Sequence, residues 1–240
     1  MIGAPRAAAM WNAAQRDRFF SNVSLLLHCD GTNGSTSFPD SSKNNTSVTV
    51  TGGITLSTTN SKFGTACLLG VGSNGYISAA YNASAVLGSN DFTVEFWINP
   101  ISIAAGGIQV FSNYNVGTNL CFAIYITTAG QIQLYVATGG TTWNILNGAV
   151  VGTISNNVWS HVSVCRSGNT YYGSVGGTVT NLGTVAGTIG NPSLPYYIAG
   201  SPLAPGPYEI NGRMDDVRLT IGTARYTATF TPPALPFPNF

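Results

Sequence analysis

Charged residues are scarce in this 240-residue chain: Lys, Arg, Asp and Glu together make up 7% of it, whereas soluble domains average about 25%. Nine basic and eight acidic residues leave a net charge of +1. Electrostatic capture of DNA or RNA needs clustered Lys and Arg, so the composition excludes a nucleic-acid partner of that kind. A surface made of Ser, Thr, Asn and Gly repels other copies only weakly, which favours a chain that works within a larger assembly.

Long apolar runs and paired cysteines are also missing. No apolar stretch reaches about 18 residues, so the sequence predicts no membrane insertion. The short apolar N-terminus ends in a polar segment at residues 15–18, unlike a secretory signal. The cysteines are far apart, and each lies in an apolar, strand-like run, which favours buried reduced thiols over a disulfide or a metal site. They are Cys29, Cys67, Cys121 and Cys165.

One segment is predicted to be helical. Residues 5–20 begin with a proline, contain good helix formers, and place Ala7, Met10, Trp11 and Ala14 in one apolar stripe. A lone helix of this length needs a surface to pack against. Two interpretations stay open: the helix packs on its own domain, or residues 1–22 form an assembly anchor whose Met10 and Trp11 dock onto a neighbouring subunit.

After residue 22 the pattern changes to strands of four to eight residues separated by Gly, Asn, Ser and Pro, which predicts an all-β sandwich or barrel. In strand 92–98, alternation puts Phe96 and Trp97 on opposite faces, so we expect a central strand covered on both sides. Hairpin turns join the strands between residues 159 and 182 into a meander. The predicted strands are 23–29, 47–50, 66–69, 75–79, 92–98, 108–112, 121–126, 132–137, 143–146, 159–166, 170–175, 178–182, 196–199 and 213–221.

The C-terminal residues 226–240 include four prolines and therefore cannot form a central strand. We expect an extended tail with Phe237 and Phe240 among its apolar contact points. The tail either packs back on the sandwich or, as a second assembly anchor, grips a neighbouring subunit.

Five segments, in order, resemble the laminin-G-like branch of the concanavalin A-like lectin/glucanase superfamily, and together they extend roughly over residues 23–235. They are 25–34, 61–69 with 75–77, 91–98, 159–169 and 214–226. The resemblance implies a two-sheet antiparallel jelly-roll sandwich at 23–225, between the N-terminal helix and the Pro-rich tail, with its first and last strands side by side. The ending at 222–233, Gly-Thr-Ala-Arg-Tyr-Thr followed by Phe-Thr-Pro-Pro, is similar to that of domains found in bacteriophage structural proteins and in bacterial surface proteins. The fold itself implies no activity, because lectins, hydrolases and spacers share it.

Catalytic patterns are absent from the sequence. A glycosidase needs two carboxyl groups facing each other across a cleft. In the hydrolases of the superfamily that this chain resembles, the acids lie close together on one strand. This chain has no such run of acidic residues. Glu95 stands alone on its strand, Glu209 lies in a Pro-rich turn, and His28 and His161 lie in apolar strands. The sequence therefore predicts a protein that is not an enzyme.

Four aspartates form a candidate calcium site. Asp30 and Asp40 lie in oxygen-rich turns, and the pair Asp215 and Asp216 lies on the last predicted strand. If the first and last strands are neighbours, these carboxylates meet, and hard cations prefer such oxygen ligands. The alternative is that Asp30 and Asp40 cap turns through backbone amides and that Asp216 pairs with a nearby arginine.

Aromatic residues in or near loops are candidates for carbohydrate binding, because an aromatic ring can stack on a sugar. They are Tyr114, Trp143, Tyr196 and Tyr197. Packing within the domain, or a contact between subunits, is the alternative for each of them.

Taken together, these features favour a non-enzymatic structural protein of a virus particle, most simply a tailed bacteriophage. It would display the laminin-G-like domain on the capsid or tail, with other virion proteins and further copies of itself as partners and a host surface glycan as a ligand. Its location would be the virion, assembled in the host cytoplasm. The alternatives are a soluble carbohydrate-binding adhesin module and, third, a polysaccharide-degrading enzyme.

Overall fold

The computed structural model describes residues 16–72, 75–202 and 208–240. These residues form two antiparallel sheets that enclose one apolar core. The strands are β1 Val23–Leu27, β2 Val48–Thr51, β3 Thr55–Ser57, β4 Cys67–Val71, β5 Tyr76–Ala79, β6 Phe92–Ser102, β7 Ile108–Asn115, β8 Asn119–Ile126, β9 Gln131–Val136, β10 Leu146–Thr153, β11 Ser160–Ser167, β12 Thr170–Val175, β13 Thr178–Thr184, β14 Tyr196–Ile198 and β15 Asn211–Ile221. Two short 3-10 helices occupy Phe20–Asn22 and Ala83–Ala85.

The first and last strands lie side by side in the larger sheet. Its order is β13-β12-β11-β6-β15-β4-β3, and β1 also pairs with β15, for example Leu26 with Arg218. The second sheet has the order β10-β9-β8-β7-β14-β5-β2. The prediction of an all-β, two-sheet antiparallel jelly roll is confirmed, and β11, β12 and β13 form the predicted meander.

Strand β6 is covered on both faces, as its alternation predicts. Phe96 points into the core between the sheets, while Trp97 belongs to a second apolar cluster on the other face of the larger sheet. That second cluster also contains Val23, Leu26 and Phe237. The C-terminal tail therefore supplies the cover that the second face of β6 needs.

The tail packs back on its own domain. Phe237 is 2% exposed, and its backbone N–H donates to Asp216 Oδ2 at 2.6 Å. The prediction that Phe237 is an assembly anchor for a neighbouring subunit is therefore wrong, since its ring is already buried against its own sheet. Phe240, in contrast, is 48% exposed.

One predicted strand is displaced, one observed strand has no predicted counterpart, and the predicted helix is only partly described. The strand predicted at 143–146 instead begins at Leu146 and continues to Thr153, because the Trp143 segment forms a loop. The three-residue strand β3 was too short to stand out from the surrounding Thr and Ser. Of the predicted helix 5–20, residues 1–15, with Met10 and Trp11, lie outside the described residues, and 16–19 are not helical.

No helix in the described part of the chain is long and apolar enough to cross a membrane. All four cysteines are buried and free, as predicted.

Candidate functional site

The outward face of the seven-stranded sheet is built by the period-two alternation of β8 and β9. Side chains of both strands alternate between the core and the opposite face. The inward residues of β8 belong to the core: Phe122, Ile124 and Ile126. Ala123 and Tyr125 therefore face outwards, where Ala123 is paired with Tyr135 of β9 and Tyr125 with Gln109 of β7.

These outward residues line a pocket of about 320 Å³, which lies at the small end of the range for ligand sites, roughly 300–1,000 Å³. Strands β7, β8 and β9 form its floor, and the loop before β10 and the segment before β15 add one aromatic residue each. The lining consists of Gln109, Tyr114, Ala123, Tyr125, Tyr135, Trp143 and Tyr208. A concave, aromatic-lined site with a few polar groups is typical of small-ligand binding.

The aromatic rings of the pocket brace one another. Trp143 meets Tyr114 edge to face at a centroid distance of 5.4 Å, and it meets Tyr135 at 5.5 Å. Tyr125 and Tyr208 form a second pair at 6.2 Å. Because each ring contacts another, the wall of the pocket is preorganised and loses little conformational entropy when a ligand binds.

Three tyrosine hydroxyls of the pocket already donate hydrogen bonds within the protein. Tyr114 donates to Gln109 Oε1 at 3.2 Å, Tyr135 donates to Gln133 Oε1 at 2.8 Å, and Tyr125 donates to the carbonyl of Gly106. Their oxygens keep lone pairs that can accept from a ligand. Burial raises the pKa of all three phenols above the ordinary 10.0, so each stays neutral at physiological pH.

Charged residues are absent from the described strands of the seven-stranded sheet. None of the seven strands described in this sheet contains Asp, Glu, Lys, Arg or His, whereas β6, β11 and β15 of the larger sheet all carry ionisable residues. The described lining of the pocket therefore offers aromatic faces and neutral hydrogen-bonding groups, and it contains no charged side chain.

The structure brings together two of the four aromatics predicted to bind carbohydrate, Tyr114 and Trp143. The prediction that Tyr196 contacts a sugar is wrong. Its ring is buried against Phe111, and its hydroxyl donates to the carbonyl of Ala85 at 2.7 Å. Tyr197 lies outside the pocket and packs against Tyr76, with ring centroids 5.7 Å apart.

Sequence reasoning missed Gln109, Tyr125, Tyr135 and Tyr208 as lining residues. A signal existed for two of them, since Tyr125 and Tyr135 occupy the outward phase of regularly alternating strands. Tyr208 carries no such signal, because it reaches the pocket from a distant, irregular segment.

The four aspartates of the predicted calcium site do not form one site. Asp40 accepts from the backbone N–H groups of Leu26, Ser42 and Thr46, at 2.7–2.9 Å. Asp30 accepts from the N–H groups of the segment 65–66. Asp40 therefore caps its own turn at Ser42, as the alternative expects, whereas Asp30 binds a segment about 35 residues further along the chain and does not cap its own turn. Within the described residues, no group of three or more His, Cys, Asp and Glu side chains is arranged to hold a metal ion.

Asp215 and Asp216 lie at an irregularity in β15 and face different partners. Asp215 accepts from the backbone N–H groups of Lys62 and Phe63, and burial raises its pKa to about 7. Asp216 pairs with His28 at 2.6 Å rather than with the expected arginine. Burial alone would lower the pKa of His28, but the Asp216 carboxylate outweighs it and raises that pKa.

Glu95 is fully buried within an ionic cluster. Arg218 Nη2 lies 2.8 Å from Glu95 Oε1, and His161 Nε2 lies 3.2 Å from its other oxygen, which also accepts from Tyr226. Arg218 and Arg225 extend the cluster to Asp17. Burial disfavours the charge of Glu95, but Arg218 and the hydrogen bond to His161 overcome it and hold the pKa well below the ordinary 4.5. A permanently paired carboxylate of this kind is suited to stabilising the fold.

Solved structures with the same fold include several binding domains. The binding domain of Paraclostridial Mosquitocidal Protein 1 superposes with a TM-score of 0.66 at 16% identity, over 86% of this chain and 50% of that one. Domain 4 of AbnA, a GH43 extracellular arabinanase from Geobacillus stearothermophilus in complex with arabinotriose, gives 0.63 at 15% identity, over 86% and 95%. The binding domain of botulinum neurotoxin DC in complex with SialylT gives 0.60 at 15% identity, over 84% and 48%.

The chain spans about half the length of the toxin binding domains it matches. No curated protein sequence matches it. A sequence profile, Laminin_G_3, matches residues 71–222 and carries the description concanavalin A-like lectin/glucanases superfamily. That match covers more than half of the chain and includes the strands that build the pocket. The protein therefore belongs to the concanavalin A-like lectin/glucanases superfamily.

Proposed function

We propose that the protein is a carbohydrate-binding module and that the aromatic pocket on the seven-stranded sheet is its glycan site. The observation that carries the proposal is the convergence of four tyrosines, one tryptophan and one glutamine on a single concavity. Aromatic faces stack on the apolar faces of sugar rings, while neutral hydrogen-bonding groups select their hydroxyls.

Two further observations support a binding role. The arabinanase domain of the same fold was solved with arabinotriose and the botulinum toxin domain with SialylT. In addition, the buried acid Glu95 is occupied by Arg218, His161 and Tyr226. A hydrolase would instead need two carboxyl groups converging on a cleft, so binding accounts for this chain better than polysaccharide degradation does.

A glycan array with the purified chain tests the proposal, with Trp143→Ala and Tyr81→Ala run in parallel. Trp143 lines the pocket, whereas Tyr81 is a 42% exposed tyrosine outside it. We expect Trp143→Ala to weaken binding about tenfold or more and Tyr81→Ala to leave it unchanged. Binding that is equally strong in both variants would place the glycan site elsewhere.

We further propose that the module is displayed on a virus particle, held by residues 1–15 of the predicted anchor against other virion proteins or further copies of the chain, since Asp17 is already paired with Arg218 and Arg225 of its own domain. Support comes from the charge-poor composition and from the phage-like ending at 222–233. Light scattering of the full chain tests the self-association. An oligomer that dissociates on Trp11→Ala supports the anchor, and a wild-type monomer at high concentration counts against it.

A further inference from the structure

We infer that the pocket selects neutral glycans and rejects sugars that carry a carboxylate or sulfate at the bound end. The inference rests on the proposed function and specifies the ligand class of the same site. It follows from where the structure places charge, and from which hydrogen-bonding groups of the pocket are already in use.

No cationic side chain lies among the described residues that line this site. The chain has no Lys or Arg between residues 63 and 165, which includes strands β6 to β10. The pocket lining contains no charged residue within the described part of the chain, and the neighbouring sequence 203–207 is also uncharged. The ionisable residue that follows Tyr208 is the acid Glu209, which would repel an anion.

Three arginines already have partners within the domain, away from the pocket. Arg218 and Arg225, with side chains 4% and 8% exposed, form ion pairs with Asp17 and Glu95. Arg166 donates to the carbonyls of Gly88 and Gly187. The fold therefore directs these cationic groups to structural roles and leaves the seven-stranded sheet neutral.

The hydrogen-bond polarity of the pocket also favours hydroxyl-rich ligands. The hydroxyl protons of Tyr114, Tyr125 and Tyr135 are donated within the protein. These hydroxyl oxygens can therefore act only as hydrogen-bond acceptors for a ligand. A sugar hydroxyl can donate to them, whereas an ionised carboxylate only accepts. Gln109 Oε1 is occupied by Tyr114, which leaves its amide N–H groups as neutral donors to a sugar oxygen.

The energetic consequence is a preference for the uncharged ligand. Moving a carboxylate from water into this aromatic pocket without a cation costs free energy that stacking does not recover. A neutral ring exchanges its water contacts for stacking and neutral hydrogen bonds instead. We expect the neutral member of a matched pair to bind at least about tenfold tighter than the acidic one.

The experiment uses pairs that differ in charge: lactose against sialyllactose, galactotriose against trigalacturonate, and each neutral glycan found on the array against its uronic acid form. Affinities of the full chain and of Trp143→Ala are measured by calorimetry at about 0.05 and about 0.5 M NaCl, because salt screens ionic recognition and leaves stacking intact. The expected result is Trp143-dependent binding of neutral members, with less than about a twofold change in Kd between the two salt concentrations.

Two results overturn the inference, and they are distinguishable. Trp143-dependent binding of acidic members that equals or exceeds that of the neutral ones shows that the pocket is a glycan site with a different ligand class. The proposed function then survives. Absence of any Trp143-dependent glycan binding contradicts both the proposed function and the ligand class.

Discussion

Tyr114 and Trp143 meet edge to face, with ring centroids 5.4 Å apart and ring planes at 74°, although one belongs to β7 and the other to the loop before β10. Trp143 also contacts Tyr135, so three segments of chain fix its orientation relative to the sheet. A ring held in this way presents a defined face to a ligand. The pocket is therefore a property of the sandwich as a whole, and changes in its supporting backbone should affect binding.

Gly107→Ala should weaken glycan binding, whereas Gly117→Ala should not. Both glycines have φ of +77°, so an alanine at either position is strained by about 1–2 kcal/mol. At Gly107 the added Cβ would also collide with the Tyr125 hydroxyl and with the backbone carbonyl of Ile126, so the ring and the end of β8 must both shift, while at Gly117 it meets nothing within 4 Å. Thermal unfolding of both variants measures the stability lost to backbone strain. Glycan titration of both variants measures the additional effect of displacing Tyr125 on binding. Equal binding by the two variants would show that the position of Tyr125 is unimportant.

Glycan affinity should be independent of pH between about 5.5 and 9. Burial raises the pKa of Tyr114, Tyr125 and Tyr135 above 10.0, so these three phenols of the lining stay neutral throughout the range. Isothermal titrations across the range should give a flat profile of Kd against pH. A change of one pH unit that altered Kd about tenfold would reveal a carboxylate or histidine coupled to the site.

Phe237→Ala should destabilise the domain by about 3–5 kcal/mol, because it removes a buried ring from the cluster around Trp97. Phe240→Ala is the matched control, since its ring is 48% exposed and should cost less than about 0.5 kcal/mol. Chemical denaturation measures both, and limited proteolysis reports whether the tail detaches. Similar stabilities of the two variants would contradict the buried position of Phe237.

Glu95→Gln should destabilise the domain by about 3 kcal/mol at neutral pH, because Arg218 loses a buried partner. It should also flatten the acid limb of the stability profile. The folded pKa of Glu95 lies below the ordinary 4.5, so its contribution is present above that pH and is lost as the pH falls. Asp17, whose pKa Arg225 and Arg218 lower against the effect of burial, acts in the same direction.

Denaturation curves of the wild type and Glu95→Gln, measured between about pH 2 and pH 7, test the linkage. Asp91→Asn is a suitable control, because Asp91 is an acid outside the cluster and caps the turn at Gly168. If the Glu95→Gln protein lost as much stability at low pH as the wild type does, that loss would be due to other carboxylates.

Local patterns were sufficient for most of the fold. Alternation in β6 correctly assigned Phe96 to the core and Trp97 to a second covered face, since period two follows from the strand geometry itself. The hairpin turns between residues 159 and 182 likewise identified the meander of β11, β12 and β13. The same alternation is present at Tyr125 and Tyr135, so the sequence alone could have predicted that these two residues face outwards, where the pocket lies.

What the amino-acid sequence determined by itself was an all-β, nearly uncharged sandwich with a Pro-rich tail. Tertiary structure alone decided that Phe237 is buried on its own sheet, that Asp30, Asp40, Asp215 and Asp216 serve separate partners, and that Trp143 and Tyr208 join one pocket. The reason is physical: periodicity states which face of a strand a residue occupies, but strand order and register decide which distant residues share that face.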